Sequence, residues 1–467
     1  QDPTLGYAGP IEMKLDRESR TWHVTQVLWV PDPDVPGEGF PISTQTHVQP
    51  QRFRSDASGE MREYLYAHDV RDGGGQVVYM QRPNGWMPVA AVCSVRHFTG
   101  EVSRRMVIEE MPAGEFSDLS PFDGVFWNDA NRDGAVQREE CEIVPTDEPG
   151  ELGERGRDAL PLGNGWGGRI DTESLTIYVD GLTRYEPAGY DADGAPIYRK
   201  AGMKAVGVTD NGDLVPVPHE NRLLVLSRMG YAGPTRIIGV DLDKGEIDWK
   251  YPNPYPGVHG SHRAPMPEPG LVIGPLKILG AVDLGQEIGT VFAMRGNLGQ
   301  DYFMTSDGVF VEALFRDGRL PGEKLPAKEE LLIGQPMGAY SEGGEPFSGW
   351  LGRQDDGVVR MTTSIARTAC MIVRLDGLDA IERFTLEPVK LNEAMLAKVV
   401  KDNEARAAAA AAAEAKVAAI HRATDVKVDA DDADWADVPS IPIARQGMAE
   451  RGEARLAYDD QTLYALF

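Results

Sequence analysis

The sequence predicts an all-β protein: a β-propeller of about six to eight four-stranded blades, then a long Ala-rich helix and the start of a β-sandwich. Three observations predict it. The first is turn density, since 52 glycines and 33 prolines in 467 residues break the chain more often than a helix-rich fold tolerates. The second is a series of short β-rich runs up to residue 388. TWHVTQVLWV, GQVVYMQ, SLTIYV, RLLVLS, TVFAMRG, YFMTSDGVFV, GVVRMTTS and CMIVRLDGL are set apart by Asp-Gly, Asn-Gly and Pro-rich breaks, and no helix of ordinary length is expected among them. The third is repetition. GYAGP at Gly6–Pro10 returns at Gly230–Pro234, and DGVFWNDANRDG at Asp123–Gly134 is echoed by DGVFVEALFRDG at Asp307–Gly318, with seven of twelve positions identical. The offsets, 224 and 184 residues, are close to five and four units of roughly 45 residues, the length of one four-stranded blade.

Bulk properties narrow the function. A chain of 467 residues is too long for one ordinary core, so several domains or a repeat array are required. A formal charge of −26 repels nucleic acid and anionic membrane surfaces, so neither is expected as a partner, and it attracts cations. No apolar run reaches membrane-spanning length. Cys93, Cys141 and Cys370 fit neither a disulfide framework, a zinc site nor a haem attachment, and leave one pairing open. The chain opens at Gln1 without a methionine, so the native N-terminus is expected to be missing.

GVDLDKGEIDWKYP, Gly239–Pro252, has a strand ending at Asp241, a turn through Asp243, Lys244 and Gly245, and a return to Trp249. A copy two residues shorter, KLDRESRTWHV, carries Asp16 and Trp22. The pattern resembles the repeat of quinoprotein-type (PQQ-like) β-propellers, with Lys244 in place of the usual threonine. The resemblance implies that residues 1–388 form the propeller and that the tryptophan docks between blades. It also raises pyrroloquinoline quinone as a cofactor. The adjacent-cysteine disulfide of the quinone dehydrogenases is absent here, so PQQ is not expected.

Residues 389–422 lose Gly and Pro and fill with Ala, Glu, Lys and Arg. They predict a helical linker about 50 Å long, too alanine-rich to bury much area and suited to a semi-rigid spacer. Residues 423–467 then offer VKVDADDADWADVPSIPI, with Asp429, Asp434 and Trp435, and the strand-like ARLAYDDQTLYALF. This resembles the opening of a family 9-like carbohydrate-binding module. The resemblance implies a β-sandwich of which about a quarter is present, and polysaccharide as a partner.

The most informative stretch is VFWNDANRDGAVQREECEI. Numbered from Asp129, it places Asn131 and Asp133 at positions 3 and 5, Gly134 at 6, the Ala135 carbonyl at 7, Gln137 at 9 and Glu140 at 12. Calcium takes six to eight oxygens, and this order of acids, amide and glycine is how an EF-hand-like loop supplies them. The flanks are strand-like, so the resemblance is to the loop alone. The echo at Asp307 keeps Arg-Asp-Gly but puts Ala313 and Phe315 at the ligand positions, which predicts the same turn geometry without metal. Two readings stand: a structural Ca2+ site, or a bare Asx-rich turn. Calcium is abundant outside cells, so an extracellular or periplasmic location is expected.

For catalysis the sequence offers VHGSHRAP, with His259, His262 and Arg263 in one loop. A His–Arg cluster can deprotonate an acidic sugar and balance its carboxylate; it can equally be a Gly-Ser-rich loop held by backbone hydrogen bonds. No nucleophile elbow, His-Glu-x-x-His or phosphate loop is present. The leading expectation is an exported, calcium-binding propeller protein that binds or organises carbohydrate and is non-catalytic in this chain. The alternatives are a polysaccharide lyase or glycoside hydrolase with its site in the propeller funnel, and a protein-interaction scaffold, so protein partners stay open.

Overall fold

The computed structural model describes residues 4–8, 11–16, 18–19, 21–27, 50–68, 75–83, 85–95, 114–146, 159–162, 168–179, 183–207, 212–228, 235–320, 340, 349–365, 369–384, 392–414, 421–422, 435–443, 452–458, 460 and 463–466. Two compact units emerge, one built from residues 1–318 and 322–380, the other from 319–321 and 381–467.

The first unit is all β. Among the described residues, six consecutive antiparallel sheets follow one another along the chain, and within each the strands neighbour one another in sequence order. Sheet 1 holds Leu5–Ala8, Ile11–Asp16 and Thr21–Val27. Sheet 2 has six strands: Gln51–Ser55, Arg62–His68, Gln76–Arg82, Gly85–Ser94, Gly124–Asn128 and Cys141–Val144. Sheet 3 is Gly168–Ile170, Ile177–Val179, Thr183–Tyr190 and Pro196–Ala205. Sheet 4 is Gly212–Val217, Arg222–Arg228, Thr235–Asp241 and Glu246–Lys250. Sheet 5 is Pro275–Asp283, Thr290–Gly296, Asp301–Thr305 and Phe310–Leu314. Sheet 6 is Gly349–Arg353, Val359–Ile365 and Ala369–Arg374. Each β-rich run singled out in the sequence overlaps one of these strands, or two separated by a turn.

The sheets pack face to face as blades do. Strand Arg222–Arg228 sends Leu224 and Leu226 into a core shared with sheet 5, through Ile278, Phe292 and Met294. Its alternate residues, Leu223 and Val225, enter a core with Tyr178 of sheet 3. Period-two alternation with both faces buried turns a half-apolar pattern into a continuous apolar run, which is why RLLVLS reads as it does. The first strands of sheets 3, 4, 5 and 6 lie each beside the next, as inner strands of a propeller do. Gly280 and Leu351 mark a close approach, where a Cβ on Gly280 would stand 2.4 Å from the Leu351 carbonyl oxygen.

The Asp-turn-Trp element behaves differently in its two copies. Trp249 lies opposite Gly239, crosses to sheet 5 and donates its indole N–H to the Ser306 carbonyl at 2.8 Å. Gly308, at φ 90°, clears the ring; a Cβ there would come within 2.7 Å of it. Asp16 caps its turn as Asp241 does, accepting from the N–H of Glu18 and Ser19. Trp22, however, falls opposite Leu15, one pair from the turn, and is 62% exposed. The two missing residues cost it the position from which an indole reaches the next sheet.

The repeated words do not occupy repeated places. Asp307-Gly308 forms the hairpin before strand Phe310–Leu314, whereas Gly124 opens a strand and packs against Leu160. The left-handed residues also differ: Arg132 and Gly134 in one copy, Gly308 and Phe315 in the other. The expectation of a shared turn geometry is therefore corrected: the echo is in sequence, not in shape. The second GYAGP, at 230–234, lies outside the described residues. First strands begin at residues 5, 51, 168, 212, 275 and 349, so the blade period is uneven. The longest interval carries the extra hairpin of sheet 2.

The second unit contains the helix, over Glu393–Glu414. Met395, Leu396, Val399 and Val400 on it are exposed, as its alanine-rich composition led one to expect. Helix does not continue to residue 422: His421–Arg422 is extended and pairs in parallel with Gly452–Tyr458. That strand also pairs with Ser440–Ile443 and Leu463–Leu466, over a small core of Trp435, Val438 and Ala457. Asp429 and Asp434 lie outside the described residues. Among the described residues no helix is long and apolar enough to cross a membrane.

Replacing Trp249 with alanine removes an inter-sheet hydrogen bond and a half-buried ring. The expected loss is about 2–3 kcal/mol of unfolding free energy, read by chemical denaturation, whereas Trp22→Ala should change stability little.

Candidate functional site

The acidic loop joins the fifth and sixth strands of sheet 2, leaving Asn128 and returning through a 3-10 turn, Arg138–Glu140, into Cys141. No helix flanks it. Two left-handed residues, Arg132 at φ 70° and Gly134 at φ 74°, fold the chain back on Asp129. Glycine takes that conformation without penalty, and Arg132 must be held there by its contacts.

Asp129 is 5% exposed. The backbone N–H groups of Gly134 and Arg132 point at its carboxylate, yet its Oδ1 is buried with no hydrogen-bond partner. Burial first, and then the charges of Glu140 and Asp133, push its pKa above the ordinary carboxylate value. The other predicted ligands are engaged within the loop. Asn131 Oδ1 accepts from the Asp133 N–H at 2.9 Å, and Asp133 Oδ1 accepts from the Ala135 N–H at 2.8 Å. Asp133 Oδ2 accepts from Gln137 Nε2 at 2.7 Å and Asn131 Nδ2 at 3.0 Å. Glu140, itself buried, accepts from Trp127 Nε1 at 3.0 Å and from the N–H groups of Ala130 and Asn131.

Among the described residues no three His, Cys, Asp or Glu side chains converge as a ready-made metal site. Positions 3, 7 and 9 of the loop offer amide and carbonyl oxygens beside the carboxylates. The orphaned Asp129 oxygen, under the charges of Glu140 and Asp133, fits a hard cation: it lacks a positive partner, and a buried acceptor left unmet is costly. A calcium ion would be held by Asp129, Asn131, Asp133, the Ala135 carbonyl, Gln137 and Glu140.

Cys141 follows the loop directly and donates its thiol to the Gln137 carbonyl at 3.3 Å. Burial and the nearby Glu140 push its pKa up to about 12, so it stays protonated. Cys93 and Cys141 flank the same strand, opposite Val125 and Trp127. Two strand spacings, about 10 Å, exceed the reach of a disulfide; both are free thiols. The pairing left open by the sequence is not made between these two, and the Cys370 side chain lies outside the described residues.

The His259 loop runs from sheet 4 to sheet 5. Ser261–Arg263 is a 3-10 turn in which Ser261 Oγ donates to the Val258 carbonyl at 2.6 Å. His262 Nε2 lies 3.0 Å from Asn297 Nδ2. His259 and Arg263 are exposed.

Sequence reasoning missed a polar group at the inner strands. Arg169, Asp213 and Lys277 stand near the starts of the first strands of sheets 3, 4 and 5, with Asp213 and Lys277 fully buried. Ile278 offers its N–H to Asp213 Oδ2 at 2.7 Å and its carbonyl to Arg169 Nη2 at 2.8 Å. Arg295 and Asp301, both fully buried, form a bidentate pair with both contacts at 2.9 Å. His68 stacks on Tyr66 at 5.5 Å, and neither of its ring nitrogens has a partner. The signal that could have found the group is a charged residue right after glycine in a buried strand: Gly168-Arg169 and Gly212-Asp213. An open groove, about 820 Å³ in volume, lies elsewhere in the unit and carries Gln286, Glu287, Arg353, Arg374, Asp376 and Asp379.

No protein-family model matches the chain, and no curated protein matches it. Among solved structures it is similar to Sqt1 of Saccharomyces cerevisiae, at 6% identity over 80% of this chain and 81% of that one, with a TM-score of 0.34. Sqt1 of Chaetomium thermophilum is similar at 10% identity over 79% and 77%, TM-score 0.36. The Dos1 propeller is similar at 6% identity over 66% and 65%, TM-score 0.29. The propeller architecture rests on the chain's own sheets and inner strands.

Burial first, then the charges of Arg169 and Lys277, hold the His68 pKa well below the usual histidine value. The unfolded chain takes up a proton near pH 6.5 that the folded chain refuses. His68 therefore contributes full stability above that pH, and stability falls by up to about 1.4 kcal/mol per pH unit below it. His68→Phe keeps the stack on Tyr66 and removes both orphan nitrogens. Urea titrations from pH 7 to pH 5 should show the variant at least as stable as wild type at pH 7, with a shallower acid decline; parallel declines would contradict this.

Proposed function

We infer that this chain is an exported, calcium-stabilised propeller protein that binds or organises carbohydrate without catalysing its breakdown. The observation that carries the calcium part is the buried, unpartnered Oδ1 of Asp129, within a loop whose residue order is that of an EF-hand-like site. The ion's role is structural. It supplies the positive charge that the Asp129 carboxylate lacks, and it stabilises the fold by mass action because only the folded loop gathers the ligands.

Two features support the carbohydrate part besides the family 9-like opening of residues 423–467. The groove bearing Gln286, Glu287, Arg353, Arg374, Asp376 and Asp379 supplies carboxylates, an amide and guanidinium donors, which read sugar hydroxyls by paired hydrogen bonds. The exposed indole of Trp22 adds a flat apolar surface of the kind pyranose rings stack on. Trp435 sits in the core of the small sheet and so acts through packing. The PQQ-like resemblance is supported for the repeat by the docking of Trp249. It does not extend to a quinone, for which the chain lacks the adjacent cysteines. The His259 loop is held as a structural turn through Ser261 and Asn297, which supports the non-catalytic reading.

Calcium at roughly 100 times its Kd should stabilise the protein by about 2.7 kcal/mol, and EGTA should reverse the gain. Asp129→Asn removes a repelling charge while keeping an oxygen for the Gly134 and Arg132 N–H groups. It should abolish the calcium effect and leave the calcium-free protein at least as stable as wild type. Equal melting with calcium and with chelator would refute the calcium reading.

Pull-down on a panel of neutral and acidic polysaccharides, with released sugar ends assayed in parallel, tests the rest. Retention without new ends, weakened by Asp376→Ala or Trp22→Ala, is expected. Cleavage would transfer the function to a lyase or hydrolase, and no retention would leave an interaction scaffold.

A further inference from the structure

We propose that the acidic loop is a calcium-operated clamp across the junction of sheets 2 and 3, so that filling it orders a sheet that supplies none of its ligands. The inference rests on the calcium reading above and adds what the ion controls. The loop is tied to sheet 3 at two points that bracket Asp129. The first is Asn128, the residue before it. Its buried side chain pairs with both backbone groups of Tyr198 in strand Pro196–Ala205: Nδ2 donates to the Tyr198 carbonyl at 3.0 Å, and Oδ1 accepts from the Tyr198 N–H at 2.8 Å. An amide bonded in this way substitutes for a ladder partner, and it depends on the backbone of residues 128 and 129 staying in place.

The second is Arg132, three residues on. Its left-handed backbone directs the guanidinium out of the loop, to Asp193 Oδ2 at 2.8 Å and Asp191 Oδ2 at 3.8 Å, in the hairpin that precedes Pro196–Ala205. Arg82 of sheet 2 reaches the same Asp193 at 2.6 Å, and Tyr64 donates to the Gly194 carbonyl at 2.8 Å. The consequence is electrostatic as well as mechanical. Both arginines of the loop are spent outside it, Arg132 on sheet 3 and Arg138 on the Glu115 carbonyl and Asp118, so the charges of Glu140 and Asp133 bear on Asp129 with no cation beside it. Their repulsion of Asp129 acts on the same backbone that carries Asn128 and Arg132. A cation at Asp129 cancels that repulsion and fixes both ties. Linkage then requires the reverse: loosening the ties must weaken calcium by the same factor.

Hydrogen exchange on the full 467-residue chain, in calcium chloride and in EGTA, tests the clamp, with calcium affinity titrated on the same samples. In wild type, calcium should slow exchange in residues 191–205 on the order of tenfold, and leave strand Thr290–Gly296 of sheet 5 unchanged. Asn128→Ala should still bind calcium, more weakly, and lose the slowing in residues 191–205. Asp193→Asn, at a partly exposed position that folding tolerates, should reduce the slowing and weaken calcium by a matching factor; it carries the test alone if Asn128→Ala does not fold. Protection confined to the loop, equal protection in every sheet, or full slowing in both variants overturns the clamp. Failure of the wild type to bind calcium at all overturns the calcium reading itself, a separate result.

Discussion

An inner edge strand has to satisfy peptide groups that no neighbouring strand can reach, and the packing of this propeller is arranged around that constraint. The first strand of sheet 5 has its ladder on one side only, with Thr290–Gly296. Peptide groups facing the other way need partners, because a buried N–H or carbonyl left bare is costly. Ile278 finds both in side chains of other sheets, Asp213 for its N–H and Arg169 for its carbonyl. One residue therefore ties three consecutive blades. The same requirement accounts for charges inside an otherwise apolar interior. Asp213 and Arg169 are there as hydrogen-bonding groups long enough to cross from one sheet to the next, and their burial is tolerable because the Ile278 backbone meets them.

The outer side of the blades meets a similar demand with other chemistry. Between sheets 4 and 5, Trp249 supplies an indole N–H to Ser306. Glu220, from the turn after the inner strand of sheet 4, accepts from the Thr290 N–H and the Ser306 hydroxyl. Between sheets 2 and 3, Asn128 imitates a strand edge against Tyr198, and the arginines of sheet 2 take hold of the Asp191–Gly194 turn. Apolar cores fill the space between sheets, but they are non-directional. The polar ties fix which turn meets which strand.

This division explains how much could be read beforehand. Strands buried on both faces leave long apolar runs, and turns between them leave glycine; RLLVLS and TVFAMRG were legible for that reason. The Trp249 dock was legible because turn and ring are local in sequence. Ties between distant positions were not. Nothing near Asn128 points to Tyr198, and nothing near Asp213 points to Ile278, since each partner is chosen by the approach of two sheets. Repeated words misled for the same reason: Asp123-Gly124 and Asp307-Gly308 are identical pairs whose glycines make room for different neighbours, Leu160 and Trp249. The loop's ligand order was read directly. The outward turn of Arg132 was not, because it depends on aspartates some sixty residues away.

That last point decides how an acidic turn is to be judged in a chain of charge −26. Screening confines the attraction of distant carboxylates to about 8–10 Å, so overall acidity cannot distinguish one Asp-rich turn from another. Local satisfaction can. Asp16 accepts from Ser19 and Glu18, and Asp241 from Lys244; both have their pKa lowered by those bonds. Asp191 accepts from the N–H groups of Asp193 and Ala195 and faces Arg132. Asp129 shares their turn chemistry, yet its pKa moves the opposite way, and among the described residues it alone of the carboxylates keeps a buried oxygen with no partner. The motif marks where a cation could sit; the unsatisfied oxygen is what distinguishes this turn from the others that merely resemble it.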